Sequence, residues 1–327
     1  MAKKEVDGEG VNIPNRIKAL PVKRPGPIVA AVIVVLLAAM LIQGLITNPR
    51  LDWPTVWKYL FNENVLEGIR YTLELTVISM VVAIILSVIL AIMRKSINPV
   101  LRGVSWFFIW FFRGTPVYTQ LIFWGLFAVL IPKISLGIPF TSVEFWSIDS
   151  NVVVTAFNAA WIGLALNEAA YLSEIVRAGL EAVDPGQTEA AKALGMNRTL
   201  IMRRIVLPQA MRIIIPPTGN ETIGMLKTTS LVTAVPFTLE LQFATNAIAN
   251  RIYKPIPLLL VACFWYLLIT SILMVVQSRL EAYFGKGFNA RPVGTKGKQT
   301  PLPGKTDGEP KDDVDKLNQT TFVGLNA

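Results

Sequence analysis

The chain has 327 residues, 53% of them hydrophobic, with 31 Lys and Arg against 22 Asp and Glu for a formal net charge of +9, and its mean hydropathy is +0.50. It contains no histidine and a single cysteine, Cys263, inside an apolar run, which excludes histidine triads and argues against Cys/His metal sites and disulfides. The phosphate-binding loop G-x-x-x-x-G-K-[ST] is also missing: around Gly297-Lys298, Pro292 replaces the first glycine and Gln299 the hydroxyl, so any ATP that drives this chain is bound by a partner.

Residues 1–26 are polar, carry Lys3, Lys4, Arg16, Lys18, Lys23 and Arg24, and read as a flexible cytoplasmic arm. Ile28 to Ile46 forms a first span, long enough at about 1.5 Å per residue to cross roughly 30 Å of hydrocarbon. It begins late and lacks a small-residue cleavage site, so it reads as an anchor rather than a removed signal. Trp53, Trp57, Tyr59 and Phe61 in residues 48–66 suit an outer interface. A second span, Tyr71 to Met93, ends at the basic pair Arg94-Lys95. Residues 104–131 are too long for one straight crossing. Pro116 cannot donate to the carbonyl of Phe112, which predicts a break at Arg113-Gly114-Thr115-Pro116.

The loop 132–150 sets Lys133 against Glu144 and Asp149, without basic excess, and fits the outer side. Asn151 to Ile175 crosses inward. Pro216, Pro217 and Pro236 interrupt residues 213–250, predicting short or discontinuous helices that cross outward. Ile256 to Val276 is the last span, followed by Arg279, Lys286 and Arg291. Lysines and arginines thus gather beside alternate spans, the positive-inside pattern, which assigns the net charge to topology rather than to nucleic acid. The expectation is an all-α membrane protein with about six transmembrane helices and both termini cytoplasmic. Its parts are the arm 1–26, a span and outer segment 27–65, a transmembrane domain 66–284, and a disordered polar tail 285–327. No internal repeat is visible, which weighs against a transporter built from inverted halves.

Between the fourth and fifth spans stands Glu189-Ala190-Ala191, then three residues, Gly195, nine residues, and Ile205-x-Leu207-Pro208. Asp184 can cap a helix with Pro185 at its first position, and Gln187 can reach back as in a capping box. Gly195 supplies the left-handed residue that ends this helix. Asn197 can cap a second helix through about Val206, with Pro208 limiting it. The product is an amphipathic two-helix knob, slim at its alanines, with Glu189 free to orient a basic partner. An ordinary loop between spans is the alternative for a bare EAA triplet.

The full pattern resembles the loop by which membrane subunits of ABC importers grip their ATPase. Tyr171 to Gly179, Pro208-Gln209-Ala210, Asn220-Glu221, Lys227-Thr228-Thr229-Ser230-Leu231 and Arg113-Gly114-Thr115-Pro116 are similar to the polar amino-acid branch of those permeases, over roughly residues 66–282. The first span, the long outer loop and the tail depart from that pattern. The resemblance implies a permease subunit without its own ATPase site, ATP and Mg being held by a separate ATPase. It also implies an extracytoplasmic amino-acid-binding protein, a second permease subunit, and residence in a bacterial cell membrane. An ion-coupled secondary transporter or channel is the competing reading, and it leaves the EAA pattern without a role.

Polar groups inside spans are the candidates for the translocation path. Asn167, Tyr171 and Glu174 share one helical face, flanked by Glu168 and Arg177. Glu174 and Arg177 also have the spacing of an on-helix ion pair. Arg113, at the broken helix, can hold a carboxylate or snorkel to headgroups. Asn220, Glu221, Lys227 and Thr228 form a further cluster that can line the path or brace it.

Overall fold

The structure is a computed structural model that describes residues 25–138, 141 and 143–284. The arm 1–26, all but its last two residues, and the tail 285–327 lie outside the described residues. A first helix, α1 (Pro25–Thr47), leads through a 3-10 turn (Pro49–Leu51) to α2 (Trp53–Leu60). The long α3 (Glu63–Arg94) follows, then α4 (Pro99–Gly114), α5 (Val117–Gly125) and α6 (Phe127–Leu130). After the hairpin of β1 (Lys133–Gly137) and β2 (Glu144–Asp149) come α7 (Ser150–Val153) and α8 (Ala156–Glu181). The knob holds α9 (Pro185–Ala193) and α10 (Arg198–Ile201), and α11 (Leu207–Thr228), α12 (Leu241–Ile252) and α13 (Pro255–Phe284) complete the bundle.

Among the described residues three helices, α1, α3 and α13, are long and apolar enough to cross a membrane by length and composition. Helix α8 sits at the centre, against α3, α4, α5 and α11. Its buried face is built from Ala159, Ala160, Gly163, Ala165, Ala169 and Ala170, small residues that let backbones approach where the hydrophobic effect cannot drive association. A Cβ on Gly163 would lie 2.9 Å from Leu121 Cδ2 of α5. Leu75, Leu121, Leu164 and Leu172 fill the space around that face.

The segment 27–65 divides into two unlike parts. Helix α1 buries none of its apolar length against the chain, whereas α2 is anchored by Val56 and Leu60 against Leu258 and Val261 of α13. Trp265 Nε1 donates to the Leu60 carbonyl at 2.8 Å. Asp52, left-handed at φ 45, ion-pairs with Lys254 at 2.6 Å and accepts from Thr55 Oγ1 at 2.7 Å.

Three expectations need correction. The loop 132–150 is not irregular: it contains an antiparallel hairpin with Lys133 opposite Asp149 and Leu136 opposite Trp146. The expected discontinuity over 213–250 is present around Pro236 but not at Pro216 and Pro217, through which α11 runs unbroken. The carbonyls left without their usual N–H donors are those of Arg212 and Ile213, while Thr218 Oγ1 adds a bond to the Ile214 carbonyl at 2.8 Å and Gln277 Nε2 of α13 one to the Pro216 carbonyl at 3.3 Å. The break falls at the 3-10 turn Thr229–Ala234 and the extended residues after it. Pro208 does not limit the second knob helix either: a π turn, Met202–Val206, joins α10 to α11, and Pro208 follows directly where the Leu207 N–H has already shifted to the Met202 carbonyl.

Candidate functional site

The knob follows from its capping residues. Asp184 Oδ1 accepts from the Gly186 N–H at 2.7 Å and starts α9. Gln187 returns no side-chain bond among the described residues, so the cap is one-sided. Gly195, at φ 76, turns the chain, its N–H bonding the Lys192 carbonyl at 2.9 Å and the Met196 N–H bonding the Ala191 carbonyl at 3.1 Å. Asn197 Oδ1 then accepts from the Leu200 N–H at 2.9 Å and starts α10.

The EAA pattern splits by direction. Ala191 is buried and packs with Val183, Ile201 and Val206 in a small core shared with Ala210 and Ile214 of α11, with Ile205 half-buried at its edge. Glu189, Ala190, Gly195, Leu207 and Pro208 are exposed. Leu194 is 82% exposed at the tip, a large apolar side chain that the motif pattern does not include although it immediately precedes Gly195. A Cβ on Gly195 would meet nothing within 4 Å, so the turn needs glycine for its backbone angle alone.

The path candidates separate into three places. Arg113 stacks on Tyr171, guanidinium carbon to ring centre 5.2 Å, and both line an open cavity of about 480 Å³ with Trp110 and Glu174. Glu174 is bonded by Arg177 at 2.6 Å, and Arg177 also reaches Glu181 at 2.7 Å, so the on-helix pair exists. Behind this cavity the helix break appears where Pro116 predicts it. The freed Phe112 carbonyl accepts from Gln120 Nε2 at 3.0 Å and from Asn167 Nδ2 at 3.0 Å. Asn167 Nδ2 lies 3.1 Å from Gln120 Oε1 as well, so its amide braces the break.

The second place lies between α8 and α11. Glu168 is buried, and its Oε1 has no hydrogen-bond partner among the described residues. Glu221 is the charged group that acts on it, so the local field is like-signed. At the third place Asn220 faces away, accepting from Gln277 Nε2 of α13 at 2.9 Å. Lys227 is exposed in the last turn of α11, and Thr228 Oγ1 bonds its own helix at Gly224, 3.1 Å.

Glu240 is absent from the sequence candidates and is fully buried. Its Oε2 accepts from the Gln242 N–H at 2.7 Å, and its Oε1 from Thr72 at 2.9 Å, Thr229 at 3.3 Å and the Tyr266 hydroxyl. One carboxylate thus joins α3, the 3-10 turn, α12 and α13. A lone acid within Pro236 to Phe243 was the available signal.

The family model for binding-protein-dependent transport system inner membrane components matches residues 83–285. The arginine transport system permease protein of Corynebacterium glutamicum is 52% identical over 274 residues, covering 84% of this chain and 85% of its own. The nopaline transport system permease protein of Agrobacterium fabrum is 33% identical over 238 residues, covering 71% and 92%. Among solved structures, a chain described as an amino acid ABC transporter with histidines matches at TM-score 0.56 and 31% identity, over 68% of this chain and 95% of that one.

Proposed function

The chain belongs to the binding-protein-dependent transport system inner membrane components, the permease subunits of ABC importers, and from that premise we propose that it passes a cationic amino acid, with its knob facing the cytoplasm and gripping a separate ATPase. The observation that carries the coupling is the knob: two capped helices around Ala191, presenting Glu189 and Leu194 to solvent. Such a surface suits a groove with an apolar floor and a basic rim. ATP and Mg belong to the ATPase, and a second permease subunit and an extracytoplasmic binding protein complete the assembly.

The substrate class rests on charge and on similarity to the arginine permease. Glu168 offers a buried, unpartnered carboxylate oxygen beside Glu221, an arrangement that a guanidinium or ammonium stabilises. Arg113, stacked on Tyr171 and without a carboxylate partner among the described residues, suits the substrate's own carboxylate. Uptake of labelled arginine into vesicles bearing the chain, its ATPase and its binding protein tests the reading. Uptake should require ATP, and Glu189→Lys should abolish it while the protein still folds. Ion-driven uptake by the chain alone would overturn the importer reading.

A further inference from the structure

On the face of the bundle nearest the knob, three helices enclose a cleft of about 360 Å³. Helix α3 contributes Ile84, Val88 and Ile92, and α8 contributes Leu172, Val176 and Leu180. Both ladders step by four residues, so each runs along one helix face for roughly 12 Å at the usual rise. Ile214 of α11 closes the third side. The floor is buried at Leu172 and Ile214, while the rim is exposed at Ile84, Val88 and Ile92.

Two hydroxyls line the cleft, and both are satisfied inside their own helices. Ser87 Oγ donates to the Ile84 carbonyl at 2.8 Å and Thr218 Oγ1 to the Ile214 carbonyl at 2.8 Å. The cleft therefore presents hydrocarbon and no free polar group. At its knob end it meets a second pocket of about 400 Å³, with Leu180 and Met202 lining both. This pocket carries Lys95, Lys192 and Arg198. Lys95 is held loosely by Glu181 at 3.6 Å, and among the described residues Lys192 and Arg198 have no ion pair.

We propose that cleft and pocket together form a site for one anionic phospholipid of the leaflet on the knob's side. An acyl chain lies between α3, α8 and α11, and the phosphate rests on Lys192 and Arg198. The cleft's length approaches one leaflet's share of the roughly 30 Å hydrocarbon core, and basic residues stand at the end where a headgroup belongs. Because Lys192 is in α9 and Arg198 in α10, the headgroup joins the knob to the bundle, which makes coupling responsive to the membrane's anionic lipid. The proposal uses the orientation given above only to choose the leaflet.

The test uses the purified full-length chain in detergent, exchanged with phosphatidylglycerol or phosphatidylcholine of identical chains and read by native mass spectrometry. Phosphatidylglycerol should be retained roughly thirtyfold better, as two basic contacts imply. Lys192→Gln with Arg198→Gln should remove that preference, and Lys192→Arg should keep it. Val176→Trp, which fills the cleft, should lower retention of both lipids; Val88→Trp on the exposed rim does the same if the first variant fails to fold. Equal retention by the unaltered chain, a preference that survives the double substitution, or displacement of the lipid by inorganic phosphate overturns the proposal. No ATPase enters the assay, so a negative result leaves the reading of the knob untouched.

Discussion

Asn167 Nδ2 lies 3.0 Å from the carbonyl oxygen of Phe112, so the central helix α8 supplies a donor that the proline break in the neighbouring pass removes. Gln120 reaches the same oxygen from the other side of the break. Asn167→Ala should therefore destabilise the protein by only about 1 kcal/mol, in the range of interhelical hydrogen bonds in membranes. Adding Gln120→Ala should cost more than the sum of the single changes, because the carbonyl then has neither side-chain donor. Thermal unfolding of the four proteins in detergent measures this, and additive losses would count against a shared role.

The turn at Gly195 separates a backbone requirement from a contact requirement. Gly195→Val should strain the left-handed residue by about 1–2 kcal/mol and misplace α10. Gly195→Asn should retain most coupling, since asparagine tolerates that conformation and the site has open space. ATPase stimulation by binding protein and substrate reads the difference. Equal loss in both variants would mean that the bare surface of the glycine is itself the contact.

Glu240 should be less tolerant than any residue picked out by motif. Glu240→Ala leaves the hydroxyls of Thr72 and Tyr266 without their shared acceptor, while Thr229 keeps the Leu226 carbonyl at 2.8 Å, a loss of about 1–3 kcal/mol for each buried group that stays unsatisfied. Glu240→Gln keeps an acceptor and the shape of the side chain, so it should recover most of that stability. Thermal shift in detergent distinguishes the two, with Tyr266→Phe expected in between.

The link between α2 and the base of α13 should respond to acid. Hydrogen bonds and charge from Lys254, with Thr55 beside it, hold the Asp52 carboxyl below the usual carboxylate range. A lowered folded-state value means that the pair contributes fully above the ordinary carboxylate range. The contribution is lost as pH falls through the lowered value. Protection of the α2 amides, that is exchange corrected for the intrinsic rate at each pH, should thus be flat between pH 6 and 8 and lower near pH 3, in the range where such carboxylates protonate. Asp52→Asn should show the lower protection at every pH. Unchanged exchange in that variant would remove the pair from any anchoring role.

Much of this architecture is legible in the residues because membrane spans and caps are local signals. The run Ile28–Ile46, the basic stop at Arg94-Lys95, the break before Pro116, and the caps Asp184 and Asn197 each depend on neighbours a few positions away. What stayed hidden depends on distant ones. Pro216 and Pro217 read as breakers, yet α11 continues through them against α13, from which Gln277, about sixty residues on, bonds the Pro216 carbonyl. Glu240 looks like a stray acid until Thr72 and Tyr266 close on it. Among the path candidates, sequence spacing grouped Asn220 with Glu221. Their side chains leave α11 about 100° apart, and Asn220 engages α13.

The π turn at Met202–Val206 makes α10 and α11 a single rod from Arg198 to Thr228, roughly 45 Å long at the usual rise. A transmission without a hinge has no backlash. The bundle packs tightly on this path at Gly179, where a Cβ would come within 2.3 Å of Ile214. Beyond Thr228 the α-helix gives way to a 3-10 turn, whose first residue, Thr229, lies within reach of the same Glu240 carboxyl that engages Thr72 and Tyr266. The knob's second helix and the far end of α11 thus share one uninterrupted helical path, and the first departure from it is tied to α3 and α13.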